Sequence, residues 1–286
     1  MKKLIVRMTR FCLNKLVGQQ NIEKAILFTS RLMQIDLLML TYQSMGILKY
    51  KDNFVSGEHF VISQILEQYL QKEETSILFD VGANIGDYSK ELRKEFPNSY
   101  IYAFEPNVNT FALMKINLES YNIKCFNIGF SAENKKEKIY TYADDKVSGH
   151  ASVYKNVLVD LHRATDVLEI ELELTTIDYF CHVNKIEFIH FLKIDTEGHE
   201  LAVLNGAKKM INENKIGIIQ FEFNEMNIVS RVFLKDFYEI LREYSIYRLD
   251  SNKLIPLIEY NSTNEIFKFQ NFLAINRAKL KEIINK

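Results

Sequence analysis

A chain of 286 residues, 47% hydrophobic and 26% charged, is long enough for one large domain or a domain with an extension, and apolar enough to bury a core. Its formal charge of -1, from 36 Lys and Arg against 37 Asp and Glu, argues against a dedicated nucleic-acid binder, which shows a basic excess or stripe. Cys12, Cys125 and Cys181 are far apart and form no C-x-x-C spacing, which excludes a zinc knuckle or disulfide framework and fits a reducing, cytoplasmic setting.

Residues 1 to about 50 read as helical, with Leu13, Leu16 and Val17, then Ile26, Leu27, Leu32 and Met33, at helical spacing. The Leu4-Ile5-Val6 run is too short for a signal peptide before Arg7 and Arg10 intrude. The stretch 25–48 is apolar, but Arg31 and Asp36 interrupt it, so it reads as an amphipathic helix rather than a membrane span. Its basic first turn leaves peripheral membrane contact open. The other roles read for this segment are a cover over one side of a pocket and a homodimer contact. A further helix over 59–71 carries Val61, Ile62, Ile65, Leu66 and Tyr69 on one side, entered through Ser56-Gly57-Glu58. The expected division is a helical extension over 1–55 and a second domain over 56–286.

From Ser76 short apolar runs alternate with amphipathic segments. Strands are expected at 77–81, 100–104, 123–128, 188–194 and 216–223, and helices at 87–95, 108–120, 199–212 and 232–244. Between them lie a strand at 137–142, a polar loop over 146–152 containing His150, and an alternating strand at 168–174 with one wet face. A closing pair falls near 245–249 and 269–276. The repetition predicts an α/β fold: a Rossmann-like, doubly wound, mostly parallel sheet with an antiparallel edge strand, plus the helical extension.

Three clusters carry chemistry. In the first, the run Ile77-Leu78-Phe79-Asp80 breaks into Gly82-x-Asn84-x-Gly86, a strand feeding a tight turn before a helix. A second acid, Glu105, followed by Pro106, ends the next strand. The turn lacks the close glycine pair of G-x-G-x-x-G, and no P-loop motif occurs, so it suits a nucleoside without a diphosphate. S-adenosylmethionine is the commonest such cofactor. In that reading Asp80 lies near its cationic amine, Gly82 and Gly86 admit the ligand to the backbone, and Glu105 accepts hydrogen bonds from the ribose hydroxyls. The bland alternative makes Asp80 a helix cap and Glu105 a solvated strand end. The second cluster, Asp195, Glu197, His199 and Glu200, follows a buried-type strand, where open α/β sheets bind ligands; a helix N-terminus alone also favours acids. The third is Glu222, either a salt-bridge partner of Lys193 or a wall of the substrate pocket.

These segments resemble the FkbM family of S-adenosylmethionine-dependent methyltransferases. The matching blocks are Phe79-Asp80-Val81-Gly82-Ala83-Asn84-Ile85-Gly86, Ala103-Phe104-Glu105-Pro106, Leu192-Lys193-Ile194-Asp195-Thr196-Glu197-Gly198-His199-Glu200, Ala202-Val203-Leu204-Asn205-Gly206-Ala207 and Gln220-Phe221-Glu222-Phe223. They keep the family's order over roughly 55 to 250. The resemblance implies O-methylation of sugar or natural-product hydroxyls; it gives His199 no family role, because the family usually has another residue there.

The expected reaction is methyl transfer to an acceptor oxygen, with Asp195, Glu197 or His199 as the base and Glu197 preferred. A divalent metal held by Asp195, Glu197 and Glu222 is the less favoured route, and no metal site is assigned. The expected partner is a glycan or small-molecule acceptor, with no nucleic acid. Alternatives are an NAD-dependent oxidoreductase on a related sheet and a non-catalytic binding protein that keeps the crevice.

Overall fold

The computed structural model describes residues 6–9, 11, 15–71, 73–142 and 167–280. The loop expected over 146–152, with His150, and Cys12 lie outside the described residues. The chain forms two compact units, Met1–Met45 and Gly46–Lys286.

In the first unit, α1 (Gln19–Leu32) and α2 (Leu37–Ser44) replace the one helix expected over 25–48. Asp36 is the reason. Its backbone is extended, and its carboxylate accepts the backbone N–H groups of Leu38 and Met39 at 2.9 and 3.1 Å. The charge that interrupts the apolar run is therefore the N-cap of the second helix.

The second unit holds strands β1 (Ile77–Val81), β2 (Tyr100–Phe104), β3 (Lys124–Phe126), β4 (Gly129–Phe130), β5 (Lys135–Tyr142), β6 (Val167–Thr175), β7 (Ile189–Ile194), β8 (Ile216–Phe223), β9 (Tyr244–Asp250), β10 (Lys253–Pro256) and β11 (Gln270–Asn276). Among the described residues they form an eight-stranded sheet of order β10-β9-β11-β8-β7-β1-β2-β3 and a three-stranded sheet of order β4-β6-β5. From β3 to β8 the large sheet is parallel throughout. The closing pair is antiparallel as expected, but β11 inserts between β8 and β9. The edge is β10, antiparallel to β9, a short strand ending in Pro256 that the sequence pattern does not reveal. Such brevity with a proline suits an edge.

The parallel strands are apolar on both faces, as burial between two helical layers requires. Leu78, Ile101, Phe191 and Ile218 pack on one side with Val61, Ile62, Leu66 and Leu92. The first three come from helical turns between Asn53 and Leu70, and Leu92 from α3 (Asp87–Glu95). On the other side Phe79, Phe104, Leu192 and Phe221 pack against Phe180, Val203, Leu204 and Phe237. These belong to α5 (Ile177–Val183), α6 (Glu200–Asn205) and α9 (Leu234–Ile240), with α4 (Val108–Leu118), α7 (Lys208–Asn212) and α8 (Met226–Ser230) completing the unit.

Two of these helices, α5 and α8, are absent from the sequence reading. The helix expected over 199–212 is two, α6 and α7, divided near Gly206, where a Cβ would overlap the Ser131 carbonyl oxygen. In the small sheet, β5 and β6 keep the expected wet face, with Lys138–Glu169 and Lys136–Glu171 pairs at 2.7 and 3.5 Å. Their dry face clusters Ile139, Leu172 and Leu174.

Candidate active site at the strand carboxyl ends

The turn after β1 is tied to both neighbouring strands. The N–H groups of Gly82 and Ala83 donate to the Phe104 carbonyl at 3.0 and 2.9 Å, and the Asp195 N–H donates to the Val81 carbonyl at 3.0 Å. Gly82 has φ +79°, and a Cβ there would overlap the carbonyl oxygen of Asp195. At Gly86, φ is +91° and a Cβ would press on the Leu118 side chain. Both glycines are thus required by the turn and by packing within the protein. Asn84, with φ +49°, donates its N–H to Glu105 Oε2 at 3.0 Å, and Asn107 donates its N–H to Glu105 Oε1 at 2.8 Å. Burial raises Glu105 to about 7 despite the opposing pull of those two N–H groups.

These ends surround a cavity of about 310 Å³, within the size range of small-molecule pockets. Gly82, Asn84, Glu105, Pro106, Asp195, Glu197 and His199 line it, so seven of the nine expected site residues border one cavity. Ile139, Leu172 and Leu174 of the small sheet and Phe130 of β4 line it as well. The sequence reading missed this apolar lining, and it missed Thr110.

Asp80 and Gly86 do not line the cavity. Asp80 is fully buried on the other face of β1, in register with Lys193 of β7 and, beyond it, Gln220 of β8. Ser89 Oγ donates to Asp80 Oδ2 at 2.7 Å, and Lys193 Nζ lies 3.7 Å from Asp80 Oδ1 and 3.1 Å from Asp195 Oδ2. Burial alone would lower the Lys193 ammonium, but Asp195, Asp80 and Glu58 outweigh it and hold it above its usual value. Tyr88 Oη donates to Gln220 Oε1 at 3.0 Å, and Gln220 Nε2 donates to Glu58 Oε1 at 3.2 Å. Asp80 thus serves a buried polar rung that fixes β7 against β1. Lys193 is engaged by Asp80 and Asp195 rather than by Glu222, whose Oε1 accepts from Asn224 Nδ2.

At the end of β7, Glu197 adopts φ +54° and Gly198 φ +95°. Left-handed backbone at a non-glycine residue is strained, and such strain gathers at functional positions. His199 Nε2 sits 3.0 Å from Ser131 Oγ, and burial, aided by Lys135, lowers its imidazole to about 4. Glu222 is pushed well above the usual carboxylate range, by burial and then by the charges of Asp195, Glu197 and Glu200.

Glu200, 1% exposed, accepts the N–H groups of Thr196 and Gly198 on Oε1 at 2.9 and 3.1 Å, so it braces the turn from inside. Burial raises it to about 7 against those bonds. A carboxyl raised on folding contributes its stability at low pH and loses it as pH climbs through its folded value. Glu200→Gln keeps an oxygen for both N–H groups and removes the ionisation. It is expected to flatten the fall in melting temperature between about pH 4.5 and about pH 7, recovering on the order of 3 kcal/mol at the alkaline end. Thermal denaturation of both proteins across that window checks this.

The residues fit an adenosyl cofactor. Each Glu105 oxygen has one lone pair engaged by a backbone N–H and one remaining for a ribose hydroxyl. Two more cavity-lining atoms, Asn84 Oδ1 and Thr110 Oγ1, are buried with no hydrogen-bond partner among the described residues. Buried polar atoms of this kind call for a ligand or water. Among the described residues no group of three His, Cys, Asp or Glu side chains is arranged to hold a metal ion. No helix among them is long and apolar enough to cross a membrane.

A parallel sheet with a glycine turn after one strand, an acid ending the next, and a cavity outside their carboxyl ends is the arrangement at which open α/β sheets bind ligands. The family described as methyltransferase FkbM domain matches residues 80–245, more than half the chain, and the chain belongs to that family. "Methyltransferase 1" of Beauveria bassiana is 27% identical over 147 residues, covering 46% of this chain and 59% of that protein. "Hexuronic acid methyltransferase AglP" of Haloferax volcanii is 23% identical over 164 residues, covering 57% and 62%. The chain thus spans about three fifths of the length of these relatives. Among solved structures, the plantazolicin methyltransferase BpumL in complex with SAH aligns with TM-score 0.42 at 10% identity, covering 93% of each chain. The precorrin-6y C5,15-methyltransferase from Geobacter metallireducens aligns with TM-score 0.38 at 10% identity, covering 74% and 86%. The family assignment rests on the sequence match alone.

Proposed function

We propose that this protein transfers a methyl group from S-adenosylmethionine to a hydroxyl of a sugar, glycan or natural product. The observation that carries the reading is one cavity lined by Glu105 with its two backbone N–H partners, the Asn84 turn, and the acids Asp195 and Glu197. Glu105, Asn84 and Thr110 would hold the nucleoside. When bound, the sulfonium supplies an electrophilic methyl group. Glu197 would take the proton from the acceptor hydroxyl as the acceptor oxygen gains the methyl group, with S-adenosylhomocysteine as the leaving group. An unactivated hydroxyl is a poor nucleophile, and such a base contributes about 10²–10⁴-fold. Asp195, held by Lys193, and His199, held by Ser131, orient the acceptor beside it. The apolar lining of Ile139, Leu172 and Leu174 excludes water. A sugar acceptor is supported by the name of the Haloferax relative and by the family resemblance.

The test is calorimetric titration of the full chain with S-adenosylhomocysteine. Wild type is expected to bind it and to ignore NAD. Glu105→Ala removes two charge-assisted hydrogen bonds and is expected to weaken uptake by about 10–100-fold. Because burial holds Glu105 at about 7, and the ionised form is the better acceptor, affinity should fall as pH drops through that value. Failure of wild type to take up S-adenosylhomocysteine ends the reading.

A further inference from the structure

The charge of this chain is unevenly placed. The first 35 residues carry seven Lys and Arg against one acid, Glu23, whereas the remaining residues carry 29 Lys and Arg against 36 acids. The basic segment is also where apolar side chains meet solvent. Of 26 exposed large hydrophobic residues among those described, 14 lie between Val6 and Leu40.

In α1, Ile22, Ala25, Ile26 and Leu32 share one face with Phe28 at its margin, and Gln20, Glu23, Lys24 and Arg31 lie on the other side with Leu27 among them. Phe28 and Leu32 are 69% and 73% exposed, and Lys24 and Arg31, seven residues apart, flank Phe28 on the same side of the helix. The next helix, α2, contains no charged residue, and Leu38 and Leu40 are both 56% exposed.

We propose that this unit is an interfacial anchor that lies in the headgroup layer of an anionic bilayer. An apolar face bordered by cations is the form such helices take, with Lys and Arg stems reaching from the acyl boundary to lipid phosphates. It lies on the membrane rather than across it, because neither helix is long and apolar enough to span. Charge separates this occupant from the others. A second copy docked through the same face sets cations against cations. A nucleic acid engages the cations and leaves Phe28 and Leu32 wet. The proposal is independent of the methyl-transfer reading.

The experiment is flotation of the full-length protein with vesicles of phosphatidylcholine alone, or of phosphatidylcholine mixed with phosphatidylglycerol. The protein is expected to float with the mixed vesicles only, and less so as salt is raised. Lys24→Gln with Arg31→Gln should reduce partitioning by roughly 25-fold, at about fivefold per cation. Phe28→Ser should reduce it independently, with the far-ultraviolet circular dichroism and melting temperature of each variant unchanged. Three results overturn the proposal: no flotation with anionic vesicles, binding that survives Phe28→Ser, or a doubled mass by light scattering that Phe28→Ser returns to monomer.

Discussion

Replacing Gly82 with Ala is expected to cost on the order of 4 kcal/mol of folding stability and to abolish uptake of S-adenosylhomocysteine. Two terms add. Left-handed backbone at φ +79° disfavours any residue with a Cβ by about 1–2 kcal/mol. The new methyl group would also occupy the space of the Asp195 carbonyl oxygen. That oxygen belongs to backbone whose N–H already bonds the Val81 carbonyl, so the strand ends must separate, an overpacking cost of about 1–3 kcal/mol. The loss is a large fraction of a typical domain's stability, and separation of β1 from β7 displaces the Asn84 turn from its place against Glu105. Gly86→Ala supplies the control. The nearest atoms to its Cβ would be those of the Leu118 side chain rather than backbone, and Gly86 does not line the cavity, so it should destabilise less and retain binding. Denaturant melts and calorimetry on both variants decide this. Equal stability of Gly82→Ala and wild type would show that the two strand ends do not meet as described.

The same position shows what the sequence discloses and what it hides. Gly82-x-Asn84-x-Gly86 marks the turn because few other residues tolerate those backbone angles, so a local pattern reports a local constraint. Glu105 and the Asp195–Glu197 pair were legible for a related reason: an acid ending an apolar strand stands out against its neighbours. What each residue touches was not legible. Asp80 belongs to the same motif, yet strand alternation turns it to the face opposite the cavity, where the partners are Lys193, more than a hundred residues away in sequence, and Ser89. The parity was available in the run Leu78-Phe79-Asp80; the identity of the strand alongside β1 was not. The cavity lining was hidden likewise. Leu172 and Leu174 read as the dry face of a strand, but which surface that face covers depends on long-range packing of the small sheet. Short elements were lost for want of a period to detect: α8 has five residues and β10 four. The helix expected over 199–212 was drawn too long, because Gly206 packs on Ser131 and nothing nearby in sequence announces it.

Glu197→Gln is expected to lower kcat by about 10²–10⁴-fold while leaving the affinity for S-adenosylhomocysteine within about twofold of wild type. The three acids and bases at the end of β7 are not equivalent. Asp195 has its Oδ2 3.1 Å from the buried Lys193 ammonium, so the oxygen that would take a proton is already engaged by a donor. The His199 imidazole is held at about 4 by burial, neutral at physiological pH and a feeble base. Glu197 lies on the cavity wall between them in sequence, on backbone strained to φ +54°, so the fold maintains an unfavourable conformation at this one acid. The isosteric amide keeps the shape and removes the acceptor for the hydroxyl proton. His199→Gln should then cost less than about tenfold in kcat, because it loses an orienting contact and not the base. Asp195→Asn should cost stability as well as rate, since Lys193 loses its nearer charged partner; with the Asp195 side chain 36% exposed and Asp80 still beside Lys193, the cost is about 1–2 kcal/mol. Steady-state rates with the acceptor, set beside melting curves for the three variants, separate these roles. A His199→Gln loss as large as that of Glu197→Gln, with stability intact, would move the base to the imidazole.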